Sequence, residues 1–151
     1  MTVSRPAAQI LTSKDFFAAV QVKLAGRLPA ALRGFDARPG PRLIRFDYGH
    51  RETHFELWHH RAAGRLEVGL HFEGDRTVND RAREFFRAHM VQVKGTLPWA
   101  ELEPWERGWS RLYEMHPAAE LTDQLLDHAS QLLAAYIGTL QPLLDNFWEE
   151  A

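Results

Sequence analysis

The chain has 151 residues, of which 45% are apolar and 25% are charged, and it contains no cysteine. This size and composition are typical of a folded protein with a substantial core, and we expect a single domain over residues 1–151. The lack of cysteine excludes a disulfide framework, a thiol nucleophile and a thiolate metal site, and it fits a cytoplasmic protein.

The net charge of −2 divides into two halves of opposite sign. Residues 1–65 carry a net charge of +6 and residues 66–151 a net charge of −8. A basic half could touch phosphates, so nucleic acid is one candidate partner. It is not the favoured one, because the overall charge gives no attraction at long range. Two halves that complement each other, in one fold or across a homodimer, are the simpler interpretation.

The N-terminal part predicts a leader, a helix and a connector. Residues 1–11 are expected to be a loose leader without the hydrophobic core of a signal peptide, and no apolar run of the chain is long enough to span a bilayer. Thr12-Ser13 offers an N-cap, and apolar residues at helical spacing then predict a helix from Lys14 to Arg27. The stretch ALRGFDARPGP, rich in Gly and Pro, is a connector.

Residues 42–73, RLIRFDYGHRETHFELWHHRAAGRLEVGLHFE, predict three antiparallel strands in a meander. Odd positions of the second strand and even positions of the third are mostly apolar, so one face of the sheet is apolar and the other polar. A turn through Gly64 sets the register, with the following pairs opposite one another: His60 with Arg65, Trp58 with Glu67, Leu57 with Val68, Phe55 with Leu70, and His54 with His71. A turn at Gly49-His50 would place Ile44 opposite Phe55 and Phe46 opposite Thr53.

The second half predicts two more helices around a Trp-rich loop. Thr77 is the expected N-cap of a helix whose apolar stripe runs from Val78 to Val93, with Gly95 as its stop. Residues 96–108 are the Trp-rich loop, and residues 109–114 are a candidate fourth strand. The apolar positions from Leu121 onward predict a long helix, broken or kinked before Pro142. The expected fold is therefore α+β, a mainly antiparallel meander sheet of three or four strands with helices packed on one face and a long C-terminal helix.

The polar face of the meander is the sharpest candidate for chemistry. His54 and His71 would be neighbours, with Glu56 and Glu73 two residues away along their strands. Imidazole and carboxylate together bind zinc and other divalent cations, so these four residues are candidate metal ligands. The competing interpretation is a solvated face of alternating charge and imidazole, which the sequence favours because nothing obvious excludes water from it.

Recognition is another use of the same face. Trp58 could stack on a partner while Arg45 and the nearby imidazoles form hydrogen bonds to it, and Glu67 is predicted opposite Trp58. Arg45, Trp58 and Glu67 are therefore the candidate binding residues. The alternative is that Trp58 simply packs beneath the Trp-rich loop or the first helix.

The segments RLEVGLHFEGDRTVNDRAREFF, LPWAEL and WSRLYE occur in an order that resembles an uncharacterised bacterial domain family. That family often sits at the C-terminus of restriction-endonuclease-related or defence-related proteins. Glu67, Asn79, Trp99 and Arg111 fall near positions of its pattern, over roughly residues 55–114. The chain departs from it in having no nuclease domain within its 151 residues. The resemblance implies an α+β fold and a binding or accessory role.

No familiar catalytic motif is present: the chain has no HExxH, P-loop, GxGxxG or GxSxG. The leading expectation is thus a non-enzymatic binding or assembly domain without a required cofactor, accessory to nucleic-acid transactions or defence, that binds a protein partner or a second copy of itself. One alternative is a metal-dependent enzyme that uses His54, His71 and the nearby carboxylates. Another is a small-molecule pocket between the sheet and the C-terminal helix.

Overall fold

The computed structural model describes residues 8–150, so most of the predicted leader, residues 1–7, lies outside the described residues. The protein is α+β, with one antiparallel sheet and a long C-terminal helix. The strands are β1 (Asp36–Pro39), β2 (Leu43–Asp47), β3 (Thr53–His60), β4 (Arg65–Phe72), β5 (Glu101–Pro104) and β6 (Ser110–Pro117). The helices are α1 (Ser13–Arg27), α2 (Arg76–Ala88), α3 (Met90–Thr96) and α4 (Asp123–Glu150).

The sheet has six strands in the order β1-β2-β3-β4-β6-β5, so the prediction of three or four strands was wrong. The two strands that the sequence analysis missed, β1 and β5, lie at the two edges and have only four residues each, DARP and ELEP. Such short segments with charge and a proline are usual at sheet edges, where they discourage pairing with another chain. They are too short to show alternation, which is why they looked like connector and loop.

The β3–β4 register is confirmed at each predicted pair, including His54 opposite His71. Gly64, in the left-handed region at φ 63°, closes this hairpin as expected. The β2–β3 register was wrong by two residues: Ile44 lies opposite Leu57 and Phe46 opposite Phe55. The connection between these strands is a five-residue loop, residues 48–52, rather than a two-residue turn. An error of two residues preserves the alternation, so both faces keep their predicted character.

The apolar face of the sheet and the helices enclose the core. Phe55, Leu57, Val68 and Leu70 are fully buried on this face. Phe86 of α2 stacks on Phe72 at the end of β4, with ring centres 5.4 Å apart. Leucine is the commonest buried residue of α4, and this helix lies against α1 and β4. Each buried leucine contributes about 1.5–3 kcal/mol of transfer free energy. This burial explains why the helices pack on the apolar face, as predicted.

Three helix boundaries differ from those predicted. α2 is capped by the side chain of Asp75, which accepts a hydrogen bond from the Val78 N–H, and not by Thr77. The helix also ends at Ala88, and a separate α3 includes Gly95 instead of stopping at it. α4 continues through Pro142 as a single helix, so the break, one of the two predicted alternatives, does not occur. Leucines buried before and after Pro142 hold both halves in place and offset its cost of about 3 kcal/mol.

The chain before α1 is docked at the start of α4. The N–H of Leu11 donates to the carbonyl of Leu121 (2.8 Å), and the N–H of Asp123 donates to the carbonyl of Gln9 (3.1 Å). This part of the predicted leader is therefore bonded to the domain. Among residues 8–150, no helix combines the length and the apolar composition that crossing a membrane requires.

Candidate metal centre on the polar face of the sheet

The face of the sheet turned away from the helices, called the polar face below, gathers side chains from three neighbouring strands. One row across it consists of His54 on β3, His71 on β4 and Arg111 on β6, which lie directly opposite one another. Glu56 and Glu67 lie on the same face of β3 and β4, and Glu73 follows the end of β4. Strand alternation therefore explains why these groups meet.

The centre of this face is as dry as the core. His71 and Glu67 are 0% exposed, Glu56 is 2% and His54 is 3% exposed. The Glu73 side chain, at 12%, is the one that reaches the surface. The expectation of an open, solvated face is therefore wrong.

The cover comes from the predicted Trp-rich loop. The Trp105 ring stands edge-on to the His71 ring, with centres 5.9 Å apart, and the Arg111 guanidinium lies 4.7 Å from the centre of the same indole. Asn79, fully buried at the start of α2, fixes the loop by donating to the carbonyl of Gly108 (3.0 Å). The water-excluding wall that the strand pattern did not reveal is thus supplied from the connection between β5 and β6.

His54 has one nitrogen in use and one without a partner. Its Nδ1–H donates to the carbonyl of Arg51 (2.9 Å), so in the neutral ring the lone pair lies on Nε2. Nε2 is buried and has no hydrogen-bond partner among the described residues. It lies 3.4 Å from Oε1 of Glu56 and 3.7 Å from Oε1 of Glu73. Both distances are long for a hydrogen bond.

His71 lies between two carboxylates. Its Nε2 bonds to Oε2 of Glu67, and its Nδ1 bonds to Oε2 of Glu73 at 2.9 Å. Burial lowers the pKa of His71, but the hydrogen bonds to Glu67 and Glu73 and the charges of Glu56 and Glu67 outweigh it and raise this pKa to about 9. Without a metal, His71 is therefore a buried imidazolium that donates from both nitrogens.

Glu56 is an ionised carboxylate despite its burial. Burial raises its pKa, but the adjacent His54 imidazole and the charges of His71 and Arg45 bring it down to about 2. Arg45 also holds the carboxylate in place through Nε–H, which donates to Oε1 at 3.0 Å. Glu56 is thus a fixed negative charge beside both histidines.

Glu67 is held by more donors than any other carboxylate of the face. Besides His71, it accepts from Nη1 of Arg111 (2.6 Å) and from Nε2 of His60 (3.1 Å). Burial raises its pKa, but the hydrogen bond from His71 and the charges of His71 and Arg111 lower it below the ordinary value. Arg111 is fixed in turn by Glu103, which accepts from Nε (3.0 Å) and Nη2 (2.7 Å).

The four predicted metal ligands come together. Each of His54, Glu56, His71 and Glu73 offers one ligand atom, and these atoms all lie within 4.8 Å of one another. A tetrahedral ion with bonds of about 2.1 Å sets its ligand atoms about 3.4 Å apart. Nε2 of His54 and Oε1 of Glu56 already have that separation. Nδ1 of His71 lies 2.9 Å from Oε2 of Glu73, so these two atoms would separate slightly around an ion. The arrangement is therefore chemically suited to one divalent cation.

The three predicted binding residues lie around this cluster. Arg45 forms an ion pair with Glu56, and Glu67 is completely buried. The contacts of Arg45 and Glu67 are therefore made inside the protein rather than with a partner. Trp58 is half-buried, stacks on His60 (ring centres 3.9 Å apart) and lies 6.2 Å from Trp105, as expected if it packs beneath the Trp-rich loop. Recognition of an external partner by these residues stays a prediction.

Sequence reasoning missed Arg111, Trp105 and the Arg51 carbonyl as parts of the site. Arg111 had a usable signal, because it alternates with Trp109 and Tyr113 on one face of the predicted fourth strand. That signal could not say that the strand pairs with β4, which is what places Arg111 beside Glu67. Trp105 and the Arg51 carbonyl act from loops, where no periodicity exists.

Comparisons of the chain with models of protein families, with curated proteins and with solved structures find no match. The site must therefore be interpreted from its own chemistry.

Proposed function

We propose that this protein is a non-enzymatic binding domain that holds one divalent transition-metal ion on the polar face, with His54, Glu56, His71 and Glu73 as ligands. The observation that carries the proposal is Nε2 of His54. A buried nitrogen that has no hydrogen-bond partner among residues 8–150 and lies 3.4 and 3.7 Å from two carboxylates is costly as it stands. A cation between these atoms would satisfy all three groups.

The charges support a divalent ion. Two neutral imidazoles and two carboxylates carry a net charge of −2, and the partly exposed Arg45 offsets only part of it at Glu56, so the four ligands still attract a cation. Glu67 lies outside this balance, because Arg111 already compensates it. Imidazole ligands favour zinc, iron, cobalt or nickel over magnesium and calcium, which prefer oxygen ligands alone.

Both histidines also have the outer hydrogen bond that metal-binding histidines usually have. His54 donates from Nδ1 to the Arg51 carbonyl, and His71 bonds to Glu67. Such partners fix the orientation of the ring and the nitrogen that is free for the metal. If the cluster were only a network of ion pairs, the lack of a partner for Nε2 of His54 among the described residues would have no explanation.

The closed geometry supports binding rather than catalysis. Four protein ligands fill a tetrahedral ion, whereas catalytic zinc sites keep one position for water or substrate. Trp105 covers the His71 side, and of the four proposed ligands only Glu73 has more than 3% of its surface exposed. A metal-dependent enzyme at this site would first have to lose a ligand.

Calorimetric titration of chelator-treated protein with zinc tests this function. We expect one equivalent to bind and the thermal midpoint to rise, since the ion binds only the folded state. His54→Ala should weaken zinc binding by more than about 100-fold, because loss of an outer partner alone costs about 10–100-fold. His128→Ala, the same change at an exposed position of α4, is the matched control and should bind zinc normally. No binding of zinc, cobalt or nickel, with an unchanged thermal midpoint, would end the proposal.

A second candidate function, assembly, is favoured by Trp99. Its indole is 74% exposed beside a cavity of about 440 Å³ that Tyr113 and Met115 help to line. A large exposed aromatic is a frequent anchor of protein interfaces. We propose that it joins two copies of the chain. Sedimentation should then give a dimer for the wild type and a monomer for Trp99→Ala, and a monomeric wild type would exclude this arrangement.

The proposed setting of these functions rests on the sequence. The resemblance to a defence-related bacterial family suggests an accessory role beside nucleic-acid transactions, and the lack of cysteine suits the cytoplasm. Salt-dependent retention on DNA or RNA tests the first part, since phosphate contacts weaken with salt. No retention at low salt would separate the domain from nucleic acid.

A further inference from the structure

We infer that Glu67 is a positioning residue that fixes the Nε2 proton of His71, so that His71 binds the metal through Nδ1. This inference rests on the proposed metal site and deepens it. It assigns a role to a buried carboxylate that lies beside the four proposed ligands without being one of them. It also names the atom through which the central histidine acts.

The first support is that both oxygens of Glu67 already accept hydrogen bonds. Its Oε1 accepts from Arg111 (2.6 Å) and His60 (3.1 Å), and its Oε2 is occupied by Nε2 of His71. Leaving these donors for an ion would remove the partner of Nη1 of Arg111, a side chain that is only 12% exposed. Glu67 therefore remains a hydrogen-bond acceptor for the Nε2–H of His71.

The second support is the contrast with Glu73. Its Oε2 accepts only from Nδ1 of His71 (2.9 Å) among the described residues, and its Oε1 lies 3.7 Å from the free nitrogen of His54. Among the described residues no arginine pairs with it, and its side chain is the most exposed of the four proposed ligands. Nδ1 of His71 can therefore exchange its proton for a metal ion while Glu73 turns from acceptor to ligand.

The third support is that Arg111, which donates to Glu67, is itself held in place by its neighbours. Arg111 lies between the Trp105 and Tyr113 rings, 4.7 and 3.9 Å from their centres. Its far side is held by two hydrogen bonds to Glu103 on the edge strand β5. The orientation of His71 is thus set from the edge of the sheet, and two points of attachment leave the guanidinium little freedom.

Nuclear magnetic resonance of cadmium-loaded protein tests the assignment directly. With histidine labelled by an NMR-active nitrogen isotope and an NMR-active cadmium isotope, we expect scalar coupling from cadmium to Nδ1 of His71 and to Nε2 of His54. The Nε2 of His71 should keep its proton. Coupling to Nε2 of His71 would overturn the inference and leave the proposed function intact. Absence of cadmium and zinc binding would end both.

A substitution adds a second measurement. Glu67→Gln keeps the shape of the side chain but removes the charge that holds the Nε2 proton, so zinc affinity should fall about 10–100-fold while the stoichiometry stays at one. Glu101→Gln, an exposed glutamate on β5 at the same edge of the sheet, is the matched control and should leave the affinity unchanged. Equal affinity in the Glu67 variant and the wild type would overturn the role of Glu67. If that variant does not fold, the coupling pattern of the wild type still decides the inference.

Discussion

On the helix side of the sheet, Phe55, Leu57, Val68 and Leu70 alternate along β3 and β4, and on the other side His54, Glu56, Glu67 and His71 alternate with them. Both sets are buried to nearly the same extent. The first is stabilised by removal of apolar area from water, which needs no particular partner. The second persists because nearly every donor meets an acceptor, and a buried charge without a partner is strongly destabilising.

The difference between the faces bears on function. Replacing a buried ion network by apolar residues is often neutral or stabilising, so a network of this kind is weak evidence for a stability role. A face that merely closed the domain would be built more simply from apolar residues, as the other face is. This contrast agrees with the proposed metal site, in which the ion would lie beside Nε2 of His54, a buried nitrogen without a hydrogen-bond partner among the described residues.

The largest expected effect in this comparison is on the apolar face. Phe55→Ala removes a fully buried ring between β2 and β4 and should lower the free energy of unfolding by about 3–5 kcal/mol. Urea denaturation measures it, with Val22→Ala, at an exposed position of α1, as the control within about 0.5 kcal/mol of the wild type. A loss below about 1 kcal/mol would mean that this face is not the core.

Alternation was predictable on both faces because it depends on local sequence. Gly64 fixes the β3–β4 turn, and a slip of one residue would have put Phe55 and Leu70 beside the histidines. The four candidate ligands could be named for that reason. The β2–β3 register was harder, because a five-residue loop and a two-residue turn both leave Ile44 and Phe46 on the apolar face.

The cover of the polar face was not predictable because it depends on distant pairing. Trp105 reaches His71 only because β6 lies beside β4 and the short β5 folds back along β6. Nothing local in ELEP signals a strand, and its proline argues against one. Burial of the histidines, the property that turns a charged face into a candidate site, is thus a consequence of topology.

The next effect is the pH dependence of stability in the metal-free protein, to which the polar face contributes and the apolar face does not. His71 has a folded-state pKa of about 9, raised from 6.5, so its stabilising contribution is complete below about pH 6.5 and is lost as the pH rises through 9. Glu56, lowered from 4.5 to about 2, contributes above about pH 4.5 and loses this as the pH falls through 2. For these two groups the metal-free protein is most stable between about pH 4.5 and 6.5.

Urea denaturation at several pH values measures the alkaline part of this profile. The free energy of unfolding should fall by about 3 kcal/mol between pH 6.5 and 9.5, at about 1.4 kcal/mol for each pKa unit. His71→Gln should flatten this part of the curve while keeping the polar surroundings. The same slope in both proteins would show that His71 does not hold its extra proton in the folded state.

The smallest effect tests whether the polar face is packed as tightly as the core. Gly69 lies between Glu67 and His71, and a Cβ added there would come 2.6 Å from both the Leu112 carbonyl oxygen and the Tyr113 Cβ. Because backbone must then shift, Gly69→Ala should lower the free energy of unfolding by about 1–3 kcal/mol. Zinc affinity should fall with it, since Tyr113 supports Arg111, which holds Glu67.

Gly138→Ala, where a Cβ in α4 meets nothing within 4 Å, is the matched control and should be stabilising by about 0.5–1 kcal/mol. A Gly69 variant as stable as the wild type would mean that the polar face is less tightly packed than the apolar face. A loosely packed face could not hold four ligands in place.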